Sequence, residues 1–333
     1  MGSKRQEVRS NVCGQCGLIL ERVGPVGHLL RVAAGAMLHR GPDSTGFALY
    51  GEEPSEDRIV VRARIADGSR ADELFGEITR HVTSVRGQFV GEPEIRVGDV
   101  EKGAFCRLLI GFDGPPAVLL GAIETVEGVY VHSMGRRLEI VKDVGTAEEV
   151  AERHGVEDFL GTHGLAHSRL ATESTVDVEM SHPFWARPFL DVAIAHNGQL
   201  TNYYKMRRLM TQRGLEFLTG NDSELIAVYI AEQLSLGRSL EDALRRSITD
   251  LDGVFTYLLA TEAAVGCATD PLAIKPLVVT NVEGTLAMAT EEQALRRVFD
   301  SELVTEYVRE GAAVVWDVMA ARTTGVGAYR GAQ

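Results

Sequence analysis

The chain has 333 residues, 45% of them hydrophobic, and a formal net charge of −13, a composition typical of a globular protein that can bury a sizeable core. The acidic balance argues against nucleic acid as a partner, because no basic stripe is present to contact phosphates. Neither a membrane-spanning stretch nor a secretory signal is recognisable, so we expect a cytoplasmic protein without membrane contacts.

Glycine and proline residues divide the chain into three regions. The first predicts a strand over 17–21, a helix over 26–38 and a strand over 45–50. Residues 52–160 resemble an insert, with strands predicted over 58–64, 94–97, 104–110, 129–132 and 138–141 and helices over 71–85 and 147–154. The third region predicts strands over 192–195, 256–261 and 276–280 and helices over 223–236 and 240–251. Strands mixed with helices in this way predict a sandwich with helices outside the sheets.

Cys13 lies on a glycine-bounded turn immediately before an apolar run. It is well placed to be a nucleophile, although small buried core cysteines are also common. Removal of residues 1–12 would give Cys13 a free α-amine, whose pKa of about 8 suits proton transfer at neutral pH. Cys13 and Cys16 have the spacing of half a zinc site or a redox pair. The sequence offers no second half, and the four cysteines fit reduced thiols, so we predict no metal.

Asn197 and Gly198 follow His196 at the end of the apolar run 192–195. A side-chain amide and a glycine N–H are neutral donors that can form an oxyanion hole for the attack of a thiol on an amide. A strand that ends in an Asn-Gly turn explains these residues equally well.

Two charged residues fit the other end of an amino-acid substrate. Arg169 lies between small and apolar residues, where its guanidinium suits either a substrate carboxylate or a structural ion pair. Asp222 opens a helical pattern, either as its N-cap or as a carboxylate directed at a substrate ammonium. His39 and Arg40 precede a Gly-Pro pair and also fit a surface turn. Together the clusters describe a receptor for an α-amino acid with an amide side chain, and glutamine fits that description.

At this point the sequence resembles the class II, N-terminal-nucleophile glutamine amidotransferases. The similarity covers nearly all of 13–51 and 161–295. The matching segments are CGxxG at 13–17, HRGPDS at 39–44, HSRLAT at 167–172, HNG at 196–198 and NDSE at 221–224, followed by DP and KP pairs at 270–276 and ATE at 289–291.

The resemblance implies an α+β fold: a four-layer αββα sandwich with an inserted small α+β subdomain. It implies hydrolysis of glutamine to glutamate and ammonia through a γ-glutamyl thioester. Cys13 would be the nucleophile, and Asn197 and Gly198 would form the oxyanion hole. Arg169 would bind the substrate carboxylate and Asp222 its ammonium. The further substrate-binding positions would be Thr172, His196 and Arg40.

The resemblance also implies a domain organisation and partners. The amidotransferase domain would span 13–295 with the insert at about 52–160, after a leader at 1–12 and before an extension at 296–333. The chain is most similar to the separate amidotransferase subunit of N-methylglutamate synthase and of split archaeal-type glutamate synthases. We therefore expect L-glutamine as substrate and a synthase subunit in a hetero-oligomer. No cofactor is expected in this chain, whereas the partner would carry FMN, with or without an iron–sulfur cluster.

Two other interpretations remain open. Activity requires cleavage after Val12, and an uncleaved leader would leave a non-catalytic subunit that binds glutamine as a scaffold or sensor. A different amide or peptide hydrolase of the N-terminal-nucleophile type is less well supported. A substrate without free α-amino and α-carboxyl groups would leave Arg169 and Asp222 without partners.

Overall fold

Two antiparallel sheets lie face to face between two layers of helices, and a third sheet is inserted after the second strand of the chain. The computed structural model describes residues 13–52, 57–97, 103–170, 177–299 and 302–319. Within them, no helix combines the length and the apolar character needed to cross a bilayer.

The first half of the chain forms part of one large sheet and all of the inserted sheet. Its first elements are β1 (Gly14–Gly24), α1 (Val26–Gly35) and β2 (Ser44–Tyr50). The inserted elements are β3 (Arg58–Ile65), α2 (Ala71–Ser84), β4 (Gln88–Phe89), β5 (Glu94–Val97), β6 (Ala104–Gly111), α3 (Pro116–Glu124) and β7 (Val129–Gly135), with a 3₁₀ turn at Gly68–Arg70. The chain then returns through β8 (Leu138–Val144), α4 (Ala147–His154) and β9 (Gly161–Arg169).

The second half completes the sandwich. It begins with β10 (Phe184–Trp185), β11 (Ala193–Leu200), α5 (Tyr203–Gln212), α6 (Asp222–Ser235) and α7 (Leu240–Asp250). It continues with β12 (Gly253–Ala260), β13 (Ala264–Thr269), β14 (Val278–Val282), β15 (Thr285–Ala289), α8 (Glu292–Val298), β16 (Glu306–Tyr307) and β17 (Ala313–Asp317).

The described strands form three sheets. The seven-stranded sheet has the order β16-β14-β15-β1-β9-β2-β8, and the sheet stacked on it has the order β10-β11-β12-β13-β17. The inserted sheet has the order β4-β6-β3-β7, and β5 pairs with β6. All described strand pairs are antiparallel.

Alternation along β1 explains the layers, because successive side chains of a strand point to opposite faces. Cys16, Leu18 and Leu20 pack with the buried faces of α1, α4 and α8. Gln15 and Ile19 face the other way, and the Gln15 Nε2 amide donates to the Thr256 carbonyl of the second sheet at 3.1 Å. On the far side, α6 and α7 cover the second sheet. The layer order is therefore helix, sheet, sheet, helix.

The predicted αββα fold with an inserted α+β subdomain is confirmed. Two elements that the sequence placed in the insert belong to the main sandwich. Strand β8 pairs with β2 along its whole length, and α4 packs on α1. The sequence does not reveal which sheet a strand joins, because the residue pattern of a strand is the same in either sheet.

Candidate active site

A cleft of about 1000 Å³ opens where the start of β1, the end of β9 and the start of α6 meet. The sheet register brings these positions together, because Gly14 pairs with Ser168 and Ser44 with Arg169. The predicted site residues that line the cleft are Cys13, Arg40, Arg169, His196, Asn197, Gly198 and Asp222. Thr172 lies outside the described residues.

Cys13 is half-buried and faces the cleft, whereas Cys16 is buried beneath the outer helices. Burial raises the pKa of the Cys13 thiol above its usual value. The backbone N–H of Leu170 and the positive charges of Arg169, Lys275 and Arg40 act in the opposite direction. Because burial dominates, the thiol keeps its proton at neutral pH and needs a base to become a nucleophile.

Neighbouring side chains fix the orientation of the Asn197 amide. Its Oδ1 lies 3.1 Å from His167 Nε2, and its Nδ2 donates to Thr290 Oγ1 at 3.1 Å. Burial lowers the pKa of His167 to about 3, so its ring is neutral and carries one N–H. That N–H is on Nε2, which faces Asn197 Oδ1 and the His196 carbonyl. The second Nδ2 hydrogen of Asn197 is left for a ligand in the cleft.

Position 198 accepts only glycine. Gly198 has φ +146°, and a Cβ there would lie 2.0 Å from the Val254 carbonyl oxygen of β12. Any larger residue would push β11 away from β12 and displace the neighbouring Asn197. The backbone of β11 at the cleft is thus held close to β12.

Arg169 and Asp222 supply opposite charges to the same cleft. In the described part of the chain, no carboxylate lies within 4 Å of the Arg169 guanidinium. Asp222 Oδ2 accepts from the Leu200 N–H at 2.8 Å, and its Oδ1 lies 3.7 Å from His196 Nδ1. Asp222 is not the N-cap of α6, because Asn221 Oδ1 accepts the Ser223 N–H at 2.9 Å. Both side chains can therefore pair with groups of opposite charge on a ligand.

Arg40 makes contacts within the protein. Its Nε donates to the Cys13 carbonyl at 3.2 Å, and its Nη1 pairs with Glu291. Gly41 permits this approach, because a Cβ at that position would meet the backbone of Ser168 at 2.5 Å. The guanidinium thus holds the residue that carries the thiol.

Three buried imidazoles belong to the site, and two of them, His182 and His196, line the cleft. His167 stacks on His182 with ring centroids 4.1 Å apart, and His196 Nδ1 lies 2.8 Å from Ser223 Oγ. Burial lowers the pKa of all three histidines, so the group is uncharged at neutral pH. His196 Nε2 has no hydrogen-bond partner among the described residues.

Sequence reasoning gave no role to several residues of the site. Thr290 connects β1 to the Asn197 amide, since its Oγ1 also accepts from the Gln15 N–H at 3.0 Å. Lys275 lines the cleft and acts on the Cys13 thiol, although its Lys-Pro pair indicates only a turn. Thr290 and Glu291 belong to the ATE segment that the sequence analysis identified. The contacts of Thr290 could not be predicted from that segment, because its partner Gln15 lies 275 positions away in the chain.

Comparisons with known proteins agree with this geometry. Residues 167–297 match the family model described as a glutamine amidotransferase domain. A predicted glutamine amidotransferase of Methanothermobacter thermautotrophicus is 33% identical over 312 residues, which cover 92% of this chain and 100% of the relative. The chain belongs to the glutamine amidotransferase family. The glutamine amidotransferase-like protein GlxB of Rhizobium meliloti is 32% identical over 92% of this chain and 98% of its own length.

Longer proteins share the glutamine amidotransferase region. The amidophosphoribosyltransferase of Methanocaldococcus jannaschii is 28% identical over 52% of this chain and 37% of its own length. The solved glutamine phosphoribosylpyrophosphate amidotransferase from B. subtilis superposes with a TM-score of 0.59 at 18% identity. The superposition covers 92% of this chain and 47% of that structure, so the chain spans about half its length. The superposition shows that the two proteins share a fold.

Proposed function

We propose that this chain is a glutaminase subunit that hydrolyses L-glutamine to L-glutamate and ammonia through a Cys13 thioester. The observation that carries the proposal is the convergence of Cys13, the Asn197–Gly198 pair, Arg169 and Asp222 on one cleft. A thiol, two neutral donors, a cation and an anion match the amide, carboxylate and ammonium of free glutamine.

The charged end of glutamine determines the binding mode. Arg169 pairs with the α-carboxylate and Asp222 with the α-ammonium, since neither charge is paired with a Lys, Arg, Asp or Glu side chain in the described part of the chain. Binding then gives each of these two charged side chains a partner of opposite charge in the half-buried cleft. Substrates without free α groups leave both charges unpaired, which gives selectivity for the free amino acid.

The Cys13 thiol attacks the side-chain carboxamide. Its proton passes to the α-amine of Cys13 itself, which becomes available once residues 1–12 are removed. The Asn197 amide and the Gly198 N–H stabilise the oxyanion of the tetrahedral intermediate, and ammonia leaves after protonation. Water then hydrolyses the thioester and regenerates the thiol. Arg40 Nε donates to the Cys13 carbonyl and so fixes the position of the residue that carries both the thiol and the amine.

The test combines the mature N-terminus with the activity. Purified protein is incubated with glutamine, released glutamate is measured, and the intact mass and N-terminal sequence are determined. We expect glutamate release from a chain that begins at Cys13. The Cys13→Ala variant should lose at least about 10³-fold in kcat, because the nucleophile is absent.

Cys16→Ala is the matched control, since Cys16 is three residues away but faces the outer helices. It should retain activity. Glutamate release that persists in Cys13→Ala would contradict the mechanism. An intact leader on protein that binds glutamine without hydrolysing it would favour the scaffold role instead.

We further propose that ammonia passes to a separate synthase subunit of the N-methylglutamate synthase or flavin-dependent glutamate synthase type, with FMN carried by that partner. The support is that this chain matches the Methanothermobacter relative along the whole of that protein, but only a minor part of the amidophosphoribosyltransferase. Glutaminase turnover should rise when the partner binds. Equal turnover with and without the partner would count against this assembly.

A further inference from the structure

An acidic side chain behind the cleft is held by both the inserted subdomain and the main sheet. Glu179 lies in the turn that follows β9 and is largely buried, with 12% of its side chain exposed. Arg64 Nη1 of β3 lies 3.1 Å from Glu179 Oε1, and His132 Nε2 of β7 lies 3.6 Å from the same oxygen. Both partners come from the inserted sheet.

A buried lysine holds the backbone of the same turn. Lys142 Nζ of β8 donates to the carbonyls of Glu179 at 3.1 Å and Ser181 at 2.9 Å. The ammonium also lies 4.8 Å from the centroid of the Phe184 ring. We call Arg64, His132, Lys142 and Glu179 the Glu179 cluster.

The turn held by the Glu179 cluster forms part of the cleft wall. Met180, between the two carbonyls that Lys142 binds, lines the cleft. His182, the residue after Ser181, also lines the cleft. Its ring stacks on His167, whose Nε2 contacts the Asn197 amide. A shift of this turn therefore moves a wall of the glutamine pocket, whereas Asn197 keeps its direct partners His167 and Thr290.

We propose that the inserted subdomain is a positioning element for glutamine binding, and that it acts through the Arg64–Glu179 pair. The proposal rests on the glutaminase function proposed above. The Glu179 cluster joins three separate parts of the chain, and its ion pair is largely shielded from solvent, with 13% of Arg64 exposed. Buried pairs of this kind depend strongly on both partners, because removal of one leaves a desolvated charge behind.

The test is a KM-against-kcat comparison for glutamine. Arg64→Met should raise KM roughly fivefold to tenfold, because the Glu179 carboxylate loses its guanidinium partner and the turn keeps only the anchor that Lys142 provides. The kcat at saturating glutamine should stay within about twofold, since the thiol and oxyanion donors are intact once substrate is bound. Arg64→Lys should recover much of the affinity. In the double variant Arg64→Met/Glu179→Met, KM should rise no further than in the worse single variant, because both changes remove the same interaction.

Arg58→Met is the matched control, because Arg58 lies on the same strand and is exposed. It should leave KM unchanged. An unchanged KM in Arg64→Met, or equal effects of Arg64→Met and Arg58→Met, would overturn the proposal. If the wild-type protein releases no glutamate, the proposed function fails by itself. The same variants are then compared by calorimetric glutamine binding in the Cys13→Ala background, where a raised Kd for Arg64→Met supports the proposal and an unchanged Kd overturns it.

Discussion

At the scale of single residues, the arrangement of the Asn197 amide depends on two neighbouring side chains, His167 and Thr290. His167 sets which end of the amide is the acceptor, and Thr290 receives one of the two Nδ2 hydrogens. An oxyanion hole contributes to catalysis because its donors are aligned before charge develops. Loss of alignment should therefore affect turnover more than substrate affinity.

Thr290→Val tests this alignment. The valine keeps the shape of threonine but removes the acceptor for Asn197 Nδ2 and the Gln15 N–H. We expect kcat for glutamine hydrolysis to fall about tenfold to a hundredfold, with KM changed less than about threefold. Thr290→Ser should restore most of the activity.

Thr280→Val is the matched control. Thr280 is also buried in the seven-stranded sheet, and its hydroxyl donates to the Val304 carbonyl at 2.8 Å, outside the cleft lining. It should cost about 1 kcal/mol of stability without a change in kcat. Similar kcat values for Thr290→Val and the wild type would show that Asn197 needs no such support.

At the scale of secondary structure, α6 is a helix that presents its N-terminus to the cleft. Asn221 caps it, Asp222 is its first residue, and Glu224 accepts N–H groups of Leu218 and Thr219 at 2.7 Å. These contacts tie the preceding loop to the helix. Buried residues surround the helix, because it packs against the second sheet on one side and α5 and α7 on the others.

Removal of the cap should have both a structural and a functional effect. Asn221→Ala is expected to cost about 1 kcal/mol in the free energy of unfolding, because a helix N–H loses its acceptor. It should also raise KM for glutamine severalfold, since Asp222 follows directly. Ser239→Ala removes the equivalent cap of α7, where Ser239 Oγ accepts the Asp242 N–H at 3.1 Å. It should cost similar stability and leave KM unchanged; a KM that rises equally in both variants would contradict the link to Asp222.

At the scale of the whole molecule, buried neutral histidines make the fold sensitive to acid. Burial lowers the pKa of His132 to about 4 and of His167 to about 3, and lowers that of His182 as well. These rings stay neutral in the folded state below pH 6.5, whereas the unfolded chain takes up their protons. The contribution of these histidines to the free energy of unfolding is therefore fully present above pH 6.5 and is lost progressively as the pH falls below that value.

The expected slope is about 1.4 kcal/mol per pH unit for each such histidine between pH 6 and 5. Denaturant unfolding across this window measures it. His132→Gln should reduce the slope by about one histidine's share, because it removes one of these buried rings. A stability that stays constant from pH 6.5 to 5 would show that these rings are not buried as neutral groups.

The sequence alone was enough to predict the sandwich and seven of the residues that line the cleft. Short motifs were informative because the proposed chemistry needs particular groups at particular positions: a thiol before a strand, a glycine that allows close backbone approach, a cation and an anion beside them. From their charges, Arg169 and Asp222 were predicted to bind the α-carboxylate and the α-ammonium of an amino acid such as glutamine. The structure brings both to the Cys13 cleft, while Thr172 and the removal of residues 1–12 stay predictions.

Only the tertiary structure decided which residues support this cleft. Thr290, His167 and Glu179 act through contacts with residues 30 to 275 positions away, and no local pattern specifies which strand will lie beside another. The same holds for β8, whose sequence indicates a strand but whose partner is set by the packing of two sheets. Local propensity determines an element, whereas its neighbours follow from burial of the whole chain.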